Sequence, residues 1–514
     1  MGDLQAAIRQ WRELLGDEHV LDDMGSLEAV SQATYPTAAR ATAVVQPSAV
    51  DEVQECVRIA ARNRISLHAF STGKNWGYGS RVPARDGAVL LDLHRLNRIV
   101  DYDDELGLLT VEPGVTQEQV FTFLKDRGGR FWMDGTGSTP DAGLVGNIME
   151  RGFGLTPYGD HVSRACAFEV VLPDGELLHT GFGAYPGARV GVVDRWSPGP
   201  QLDGLFSHSD YGIVTRLTTP PMPAAETALM AVMDLRDTDQ LRRAIDIVRG
   251  LQLDGTIRSA PWFGNHYRLL GTVMRFPWHR SQPPLAPAAS VQIAAEHGLY
   301  PWTGFAAIYG SAEQVAASRR RLESALSSTV SALTFVDSAT LDAEPVSARR
   351  SIHLSMHRAY TGGLLNAVRR AYWRKRSTPP ADADPDRDRV GFIFVNASIP
   401  FRGEDAAAAA HLAERVILEH GFEPSFSCHS IRERVLQALS TFAWDRDIPG
   451  DDERAFAAHD QVADTWAEHG WFPFRLGLHS MPLRERAEPS HRRTVAAIKG
   501  ALDPSGVLAP DRYS

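Results

Sequence analysis

A glycine-rich turn, residues 71–80 (STGKNWGYGS), carries the residue types best suited to binding an anion. It follows a strand-like run, ISLHAF. Closely spaced glycines after a strand let successive backbone N–H groups converge on one ligand, because glycine adopts positive φ and permits close approach. Ser71, Thr72 and Asn75 add side-chain donors. The turn therefore predicts an anion- or phosphate-binding loop, with a bulged hairpin turn as the structural alternative.

A second glycine-rich segment, residues 146–154 (GNIMERGFG), lies in a long stretch, 131–162, with little regular periodicity. Its backbone donors suit a flat or phosphorylated ligand, and an ordered Ω-loop is the alternative. Neither segment has the Walker or Rossmann pattern, and the sequence contains no HExxH or GxSxG motif. The two segments together predict a nucleotide cradle of another kind. P-loop enzymes, Rossmann dehydrogenases, serine hydrolases and metal enzymes are disfavoured.

The composition disfavours further classes of protein. The 514 residues include 53 Lys and Arg against 63 Asp and Glu, a net charge of −10 without a basic run, so no nucleic-acid partner is expected. Three cysteines cannot build a disulfide framework, and they lie too far apart for a zinc ribbon. The first residues have no apolar signal region, and no window approaches eighteen apolar residues. We expect a cytoplasmic protein without a membrane span or a bound metal.

Hydrophobic periodicity predicts mixed α and β structure. Residues 41–70 indicate a strand, a helix and a strand, and Thr116 begins a further helix after a turn. Residues 164–180 indicate a hairpin around Pro-Asp-Gly. Beyond residue 225, strand-like runs alternate with helical ones. The strand-like runs are 230–235, 270–275 and 390–399, and the helical runs are 239–251, 311–327 and 406–420.

Five motifs occur in a fixed order: STGKNWGYGS, EPGVT, VGNIMERGFGLTPYGDH, LDGLFSHSDYGIVTRL and ALDPSGVLAP. Together they resemble the vanillyl-alcohol oxidase / p-cresol methylhydroxylase (PCMH-type) flavoprotein family, most of all its 4-alkylphenol oxidase branch. The resemblance covers residues 40–225 and the end of the chain. The intervening part resembles the family more loosely, around GEDAAAAAHLAERV.

The resemblance implies an α+β fold. It comprises a PCMH-type two-lobed FAD-binding domain and an α+β cap domain, in which helices cover an antiparallel sheet. The implied boundaries are 1–36 for an N-terminal helical extension, 37–225 for the FAD-binding domain, 226–465 for the substrate or cap domain (hereafter the cap), and 466–514 for a segment that returns to the FAD-binding domain.

FAD is the cofactor that the resemblance implies. The first glycine-rich turn would wrap the diphosphate, and the second segment would lie along the diphosphate, ribityl chain and adenosine. The residues implied at FAD are Ser71, Thr72, Gly73, Lys74, Asn75, Trp76, Gly77, Tyr78, Gly146, Asn147, Glu150, Gly152, Gly154, Tyr158, Gly159, Ile213, Val214 and Arg475.

The substrate-binding residues of the family match only in part. Family members hold a phenolate with two tyrosines and one arginine; Tyr78 and Arg475 match one tyrosine and the arginine, whereas the second tyrosine is Phe474 here. One lost donor costs about 1–3 kcal/mol, which argues against a simple phenol as substrate. The family tethers FAD through a His or Tyr on the strand matching Val390–Asn396, which has no His, Tyr or Cys. We therefore expect FAD to be bound non-covalently.

The catalytic base has no clear match. An aspartate of the oxidase branch aligns with Gly137 or Ser138, flanked by Asp134 and Asp141. Asp160 and His479 are candidates; strand alternation would put His479 on the face of Arg475, and a core histidine or a turn aspartate is the alternative. Weaker candidates for reaching the substrate are His353, His357, Tyr360, Cys428 and His429.

The predicted function is FAD-dependent oxidation. A hydride would pass from an alcohol, phenolic, benzylic or allylic substrate to flavin N5, with Tyr78 and Arg475 on the substrate oxygen. The acceptor would be O₂ or another oxidant, and the departures from the family indicate a specialised, secondary-metabolite-like substrate. A redox-neutral or non-catalytic flavoprotein is the alternative. A homodimer is possible in this family.

Overall fold

The computed structural model describes residues 3–513. Two sheets form the part of the chain before the cap. The first has the order β1-β2-β4-β3, with β2, β4 and β3 parallel, and the second is antiparallel with the order β5-β6-β10-β8-β9. Strands β11 and β7 form a separate two-stranded antiparallel pair. The strands are β1 (Val20–Leu21), β2 (Ala43–Val45), β3 (Leu67–Phe70), β4 (Val89–Asp92), β5 (Ile99–Asp103), β6 (Leu108–Val111), β7 (Phe131–Trp132), β8 (Cys166–Val171), β9 (Leu177–His179), β10 (Ile213–Thr219) and β11 (Met222–Pro223).

The cap contains one seven-stranded antiparallel sheet in the order β15-β12-β14-β13-β17-β18-β16. Its longest pairing, β16 with β18, runs from Val390 opposite Asp445 to Pro400 opposite Val435. The strands are β12 (Thr227–Leu235), β13 (Trp262–Asn265), β14 (Trp302–Gly310), β15 (Ala332–Val336), β16 (Val390–Pro400), β17 (Ser425–Arg432) and β18 (Val435–Asp445).

Helices cover these sheets. The α-helices are α1 (Leu4–Leu15), α2 (Met24–Val30), α3 (Val50–Asn63), α4 (Gln117–Asp126), α5 (Leu144–Met149), α6 (His161–Arg164), α7 (Thr238–Leu253), α8 (His266–Val273), α9 (Pro287–Glu296), α10 (Ala312–Leu326), α11 (Ser338–Ala343), α12 (Ala348–Tyr360), α13 (Gly403–Glu419), α14 (Asp451–Glu468) and α15 (Pro489–Leu502). Short 3₁₀ helices occur at Asp17–His19, Gly181–Ala184, Asp203–Phe206, Val368–Tyr372 and Leu478–Arg486.

The two faces of the cap sheet have separate cores. Alternation along β12 sends Ala231 and Met233 to one face, where α7, α13 and α14 pack, and Met230 and Val232 to the other. The second face is covered by α8, α12 and the 3₁₀ helix Val368–Tyr372, and Trp76 of the first glycine-rich turn joins its core. That face therefore looks toward the two glycine-rich segments.

Both ends of the described chain pack into the first sheet. The 1–36 segment supplies β1 and α1, whose Trp11 is buried against α3. Near the other end, the Leu67 N–H donates to the carbonyl of Val507 at 2.7 Å, which adds a short parallel bridge beside β3. The α+β architecture and the antiparallel, helix-covered cap sheet agree with the predicted fold class.

Two local predictions are wrong. Residues 270–275 are not a strand, because residues 270–273 form the end of α8. The side chain of Asn265, the N-cap of α8, accepts a hydrogen bond from the Arg268 N–H at 3.0 Å. Residues around Arg475 are not a strand either, and Leu478–Arg486 form a 3₁₀ helix. The alternation that aligned His479 with Arg475 therefore does not apply.

Candidate active site

The first glycine-rich turn packs directly against the cap. Gly77 has a φ of 78°, and a Cβ built there would lie 2.5 Å from the Phe394 ring of β16. Only glycine fits this close approach in a left-handed conformation. The turn therefore lies at the junction of the FAD-binding part with the cap, which we call the cleft.

The two glycine-rich segments lie against each other. The Gly143 N–H, at the start of α5, donates to Oγ1 of Thr72 at 2.9 Å. A Cβ on Gly143 would overlap Oγ of Ser71, so the approach depends on glycine. The stretch expected to be irregular thus contains two short helices, α5 and α6. Its backbone still lies beside the first turn, as a nucleotide cradle requires.

Glu150 is the centre of a buried charge cluster. One carboxylate oxygen accepts from Arg512 at 2.5 Å, and the other accepts from the Tyr513 hydroxyl at 3.0 Å and lies 3.6 Å from Nε of Arg475. Burial would raise the pKa of Glu150, but Arg512 and Arg475 outweigh it and lower the pKa to about 2. Glu150 is therefore ionised over the whole working range of pH.

Arg475 joins this cluster to Tyr78. Its guanidinium carbon lies 4.3 Å from the centre of the Tyr78 ring, and Nη2 donates to the Asn75 side chain at 2.6 Å. The other face of Tyr78 stacks on Phe394, with ring centres 4.9 Å apart. Burial raises the pKa of Tyr78 to about 12, although Arg475 opposes the shift. The phenol is thus a neutral hydrogen-bond donor at neutral pH.

Phe474 lies among aromatic rings. Its ring centre is 6.3 Å from that of Phe153, which in turn lies 4.1 Å from the imidazole of His429. Asn396 of β16 fixes the backbone here, because its Oδ1 accepts from the N–H groups of Phe474 and Arg475 at 3.1 and 3.3 Å. Strand β16, which has no His, Tyr or Cys that could tether a flavin between Val390 and Asn396, therefore positions the Phe474–Arg475 pair.

Asp160 lies in an ion pair between the FAD-binding part and the cap. Nε and Nη2 of Arg432 donate to its two carboxylate oxygens at 2.6 and 3.1 Å. Burial raises the pKa of Asp160, but Arg432 outweighs it and the net shift is downward. A carboxylate held in this way is a poor general base. The geometry therefore favours a structural ion pair between the FAD-binding part and the cap over a catalytic role.

His479 packs in an aromatic cluster. Its ring lies edge to face against Tyr35 and His459, with centres 4.8 and 4.3 Å apart. Both ring nitrogens are buried without a hydrogen-bond partner among residues 3–513, and burial lowers its pKa well below the ordinary value. The geometry favours the alternative of a core histidine.

Several residues implied at FAD have protein partners. Nζ of Lys74 lies 3.1 Å from Asp141 and 3.8 Å from Asp384. The Asn147 side chain contacts Nδ1 of His161 at 2.7 Å. These contacts leave backbone N–H groups, rather than Lys74, as the anion-facing donors of the turn.

The end of the second segment is held in a tight turn. The Gly154 N–H donates to the carbonyl of Gly159 at 3.1 Å, and a Cβ on Gly154 would overlap the Asp134 carboxylate. A Cβ on Gly152 would overlap the side chain of Asn147. Glycine is therefore required at both positions by neighbouring side chains.

Four further residues implied at FAD lie in or beside these segments. The Tyr158 ring is covered by the guanidinium of Arg164 at 3.9 Å. Ile213 and Val214 bury their side chains in the cores of the first and second sheets, so they can offer a ligand only backbone atoms. A Cβ on Gly146 would lie 2.9 Å from Cβ of Ser71, which keeps that part of α5 against the first turn.

Two of the weaker candidates, Tyr360 and His353, have structural partners. The Tyr360 hydroxyl donates to the carbonyls of Ala260 and Phe305, both at 3.0 Å, and His353 contacts Glu344 at 3.1 Å. Burial raises the pKa of Cys428 to about 12, so its thiol is unreactive.

Sequence reasoning missed Arg512, Tyr513 and His208. Arg512 and Tyr513 reach Glu150, and His208 stacks on Tyr513 with ring centres 4.9 Å apart. His208 stands inside one of the five motifs and the other two follow another. The motifs marked the regions that contain these residues. Their spacing in the sequence did not show that the residues contact Glu150 or each other.

Buried polar atoms without partners test whether a cofactor fits. Among residues 3–513, Trp76 Nε1, His208 Nε2 and Arg475 Nε lack hydrogen bonds and lie around the cleft. Native proteins rarely leave such donors unsatisfied. With the backbone cradle, these donors fit a polar, anionic cofactor such as FAD. No group of metal-binding side chains, and no helix long and apolar enough to cross a membrane, occurs in this described part of the chain.

Comparison with known proteins identifies the family. The model described as "FAD binding domain" matches residues 41–181. The sequence is 40% identical to the 1'-carboxy-chondrochloren decarboxylase of Chondromyces crocatus, over 99% of this chain and 97% of that one. It is 28% identical to the flavoprotein subunit of the hydroxylating 4-cresol dehydrogenase of Pseudomonas putida, over 99% and 95%. The structure matches 4-ethylphenol oxidase from Gulosibacter chungangensis with a TM-score of 0.92 at 26% identity, over 100% and 98% of the two chains.

The chain therefore belongs to the PCMH-type family of FAD-dependent flavoproteins. It is an FAD-dependent oxidoreductase, which confirms the family, the cofactor and the enzymatic class predicted from the five motifs.

Proposed function

We propose that the protein oxidises a hydroxyaryl substrate by hydride transfer to FAD and that O₂ reoxidises the flavin. The observation that carries the proposal is the Arg475 guanidinium above the Tyr78 ring, with its Nε free of hydrogen bonds among the described residues. A charged donor and a neutral phenol on one oxygen would hold the substrate as its phenolate, whose electrons compensate the carbon as hydride leaves. Bound FAD supplies the hydride acceptor, N5.

We propose that backbone N–H groups of the two glycine-rich segments hold the FAD diphosphate. Asn75 and Glu150 would act on the flavin indirectly, because both are bonded to Arg475. We also propose non-covalent binding: β16 faces the first turn with Phe392 and Phe394, which have no nucleophilic atom.

We propose that oxidation is coupled to loss of CO₂. The 40% identical relative is named a decarboxylase. Hydride removal from the carbon next to the ring leaves that carbon electron-poor. The electron pair of the bond between the adjacent carbon and its carboxylate then forms a double bond, and CO₂ leaves. The hydride, one proton and O₂ together give H₂O₂, so the atoms and electrons balance.

The experiment is anaerobic reduction of the yellow holoenzyme. We expect 3-(4-hydroxyphenyl)propanoate to bleach the visible flavin band with release of CO₂, and admitted air to restore the band with release of H₂O₂ in an amount equal to the CO₂. Arg475→Gln should slow bleaching about a hundredfold, the loss expected for one charge-stabilising donor. The surface variant Arg492→Gln, which breaks an exposed pair with Glu485, should match the wild type.

Three outcomes would count against parts of this proposal. If no hydroxyaryl acid or alcohol bleaches the flavin, the redox-neutral alternative is favoured. Bleaching without CO₂ would leave simple oxidation, and bleaching that air does not reverse would exclude O₂ as the acceptor.

A further inference from the structure

Two arginines of the cap have no acidic partner among residues 3–513. Arg268 lies on α8 and is 7% exposed; Arg370 lies on the 3₁₀ helix Val368–Tyr372, which packs against α8. The charges that act on Arg268 are those of Arg370 and Tyr78, and no carboxylate of residues 3–513 acts on either arginine. A buried cation without a counter-charge destabilises a fold. Because residues 3–513 supply no counter-charge, the two arginines need a partner that is not part of the described chain.

The hydrogen bonds of the pair are incomplete. Nη1 of Arg268 donates to Oγ1 of Thr441 at 3.2 Å, whereas Nε of Arg268 and Nε of Arg370 are buried without partners among residues 3–513. Burial and then repulsion by Arg370 lower the pKa of Arg268, and burial lowers the pKa of Arg370 to about 10. An anion placed between them would supply both the missing acceptors and the missing charge.

The pair borders the cleft described above. Arg268 is close enough to Tyr78 and His429 to shift the pKa of each. Arg370 reaches the loop before α5, since its Nη2 would lie 3.8 Å from a Cβ built on Gly137. The Ala367 N–H also donates to the carbonyl of Ser138 at 3.0 Å. Arg268 thus lies near Tyr78, and Arg370 lies near the loop at Gly137.

We propose that Arg268 and Arg370 form a subsite for the carboxylate of the substrate. Arg475 is already paired with Glu150 and Asn75, so it is the less suitable partner for a second anion. Guanidinium groups bind carboxylates with directional donors. The subsite rests on the proposed function, in which the hydroxyaryl end lies at Tyr78 and Arg475. It makes the substrate a hydroxyaryl alkanoic acid rather than an alkylphenol.

The test compares two ligands that differ only in a carboxylate. 4-Hydroxycinnamate and 4-vinylphenol have no saturated carbon next to the ring, so neither can give up a hydride there. The oxidised holoenzyme is titrated with each ligand, and binding is read from the flavin difference spectrum and by calorimetry. We expect the wild type to bind 4-hydroxycinnamate at least about tenfold more tightly than 4-vinylphenol, as for a charge-assisted hydrogen bond.

Arg370→Gln should remove that preference and leave 4-vinylphenol within about twofold of the wild type, because only the carboxylate contact is lost. Arg370→Lys should recover part of the preference, since lysine keeps the positive charge but lacks the planar guanidinium with its paired donors. Arg319→Gln, an exposed cap variant that breaks a surface pair with Glu323, is the control. Melting temperatures and FAD content check the folding of each variant.

A wild type without the preference, or an Arg370→Gln enzyme that loses both ligands equally, overturns the subsite alone. If neither ligand binds the wild type, the hydroxyaryl site of the proposed function fails as well, and anaerobic bleaching tells the two failures apart.

Discussion

At the scale of single residues, Arg475 connects every part of the candidate site. It touches Asn75 of the first turn, Glu150 of the second segment and the ring of Tyr78. Lysine could not make these contacts together, because it presents a point charge instead of a planar fork. Phe474, which stands where the family has a second tyrosine, lies next to Arg475 in the chain. The site therefore has one hydroxyl donor fewer than the family pattern.

Phe474→Tyr should restore a donor and tighten the binding of phenolic ligands. We expect up to about a tenfold lower dissociation constant for 4-vinylphenol, the usual net worth of one hydrogen bond. Phe472→Tyr, two residues away and 49% exposed, is the matched control and should change nothing. The flavin difference spectrum measures both; equal effects of the two variants would contradict a substrate-facing Phe474.

Glu150→Gln should destabilise the holoenzyme in a pH-dependent way. The folded pKa of about 2 lies below the ordinary 4.5, so ionised Glu150 contributes stability above about pH 4.5, and that stability is lost as pH falls toward 2. The shift corresponds to about 3 kcal/mol at neutral pH. Melting temperatures should therefore differ at neutral pH and converge in acid. Glu485→Gln should show a much smaller difference, because the pKa of Glu485 is lowered mainly by an exposed pair with Arg492.

At the scale of elements, the cap is fastened to the FAD-binding part at several points. Arg432 of β17 holds Asp160, and Phe394 of β16 packs on Gly77. A third contact comes from residues 379–389 between the 3₁₀ helix and β16: the Ser80 hydroxyl donates to Asp386 at 2.8 Å. Burial raises the pKa of Asp386 to about 7, helped by Asp384.

Asp386→Asn should stabilise the protein at neutral pH. The folded pKa of Asp386 is raised above the ordinary 3.8, so wild-type stability is highest below that value and falls as pH rises through 7. Asparagine accepts the same hydrogen bond without a charge. The advantage should grow between about pH 4 and pH 7, to at most about 4 kcal/mol. Asp382→Asn, exposed in the same loop, is the control for melting temperatures; a gain independent of pH would contradict this reading.

The sequence predicted individual helices and strands better than the tertiary contacts between them. The 41–70 unit, the hairpin of β8 and β9 and helices α7, α10 and α13 follow from local periodicity and turn residues. Strands β13, β17 and β18 did not, because they are buried on both faces and lack alternation. The sequence did not reveal the Arg268–Arg370 pair for a related reason. Nothing in the pattern of either helix marks its arginine, and only tertiary packing leaves both without a carboxylate partner among residues 3–513.

At the scale of the whole molecule, the proposed cofactor site lies between the FAD-binding part and the cap. The second core of the cap already includes Trp76 from the first turn. A ligand held across such an interface stabilises the closed arrangement by mass action. No covalent bond is needed for tight binding, which agrees with the aromatic, unreactive face of β16.

Acid precipitation of the yellow protein should release all of the flavin into the supernatant. The physical reason is that unfolding removes the cleft, while no nucleophile of Val390–Asn396 can retain the ring. Absorbance of pellet and supernatant measures the partition. Colour that stays with the pellet would show a covalent link through another residue.

The partner of Glu150 has a consequence for biosynthesis. Arg512 is 362 positions further along the chain than the carboxylate it neutralises. A ribosome translates the FAD-binding part first and the cap next, and domains fold in that order. Throughout that interval Glu150 lacks its main counter-charge, because Arg512 has not yet been made. We therefore expect the charge cluster around Glu150 to form only after the cap has been synthesised.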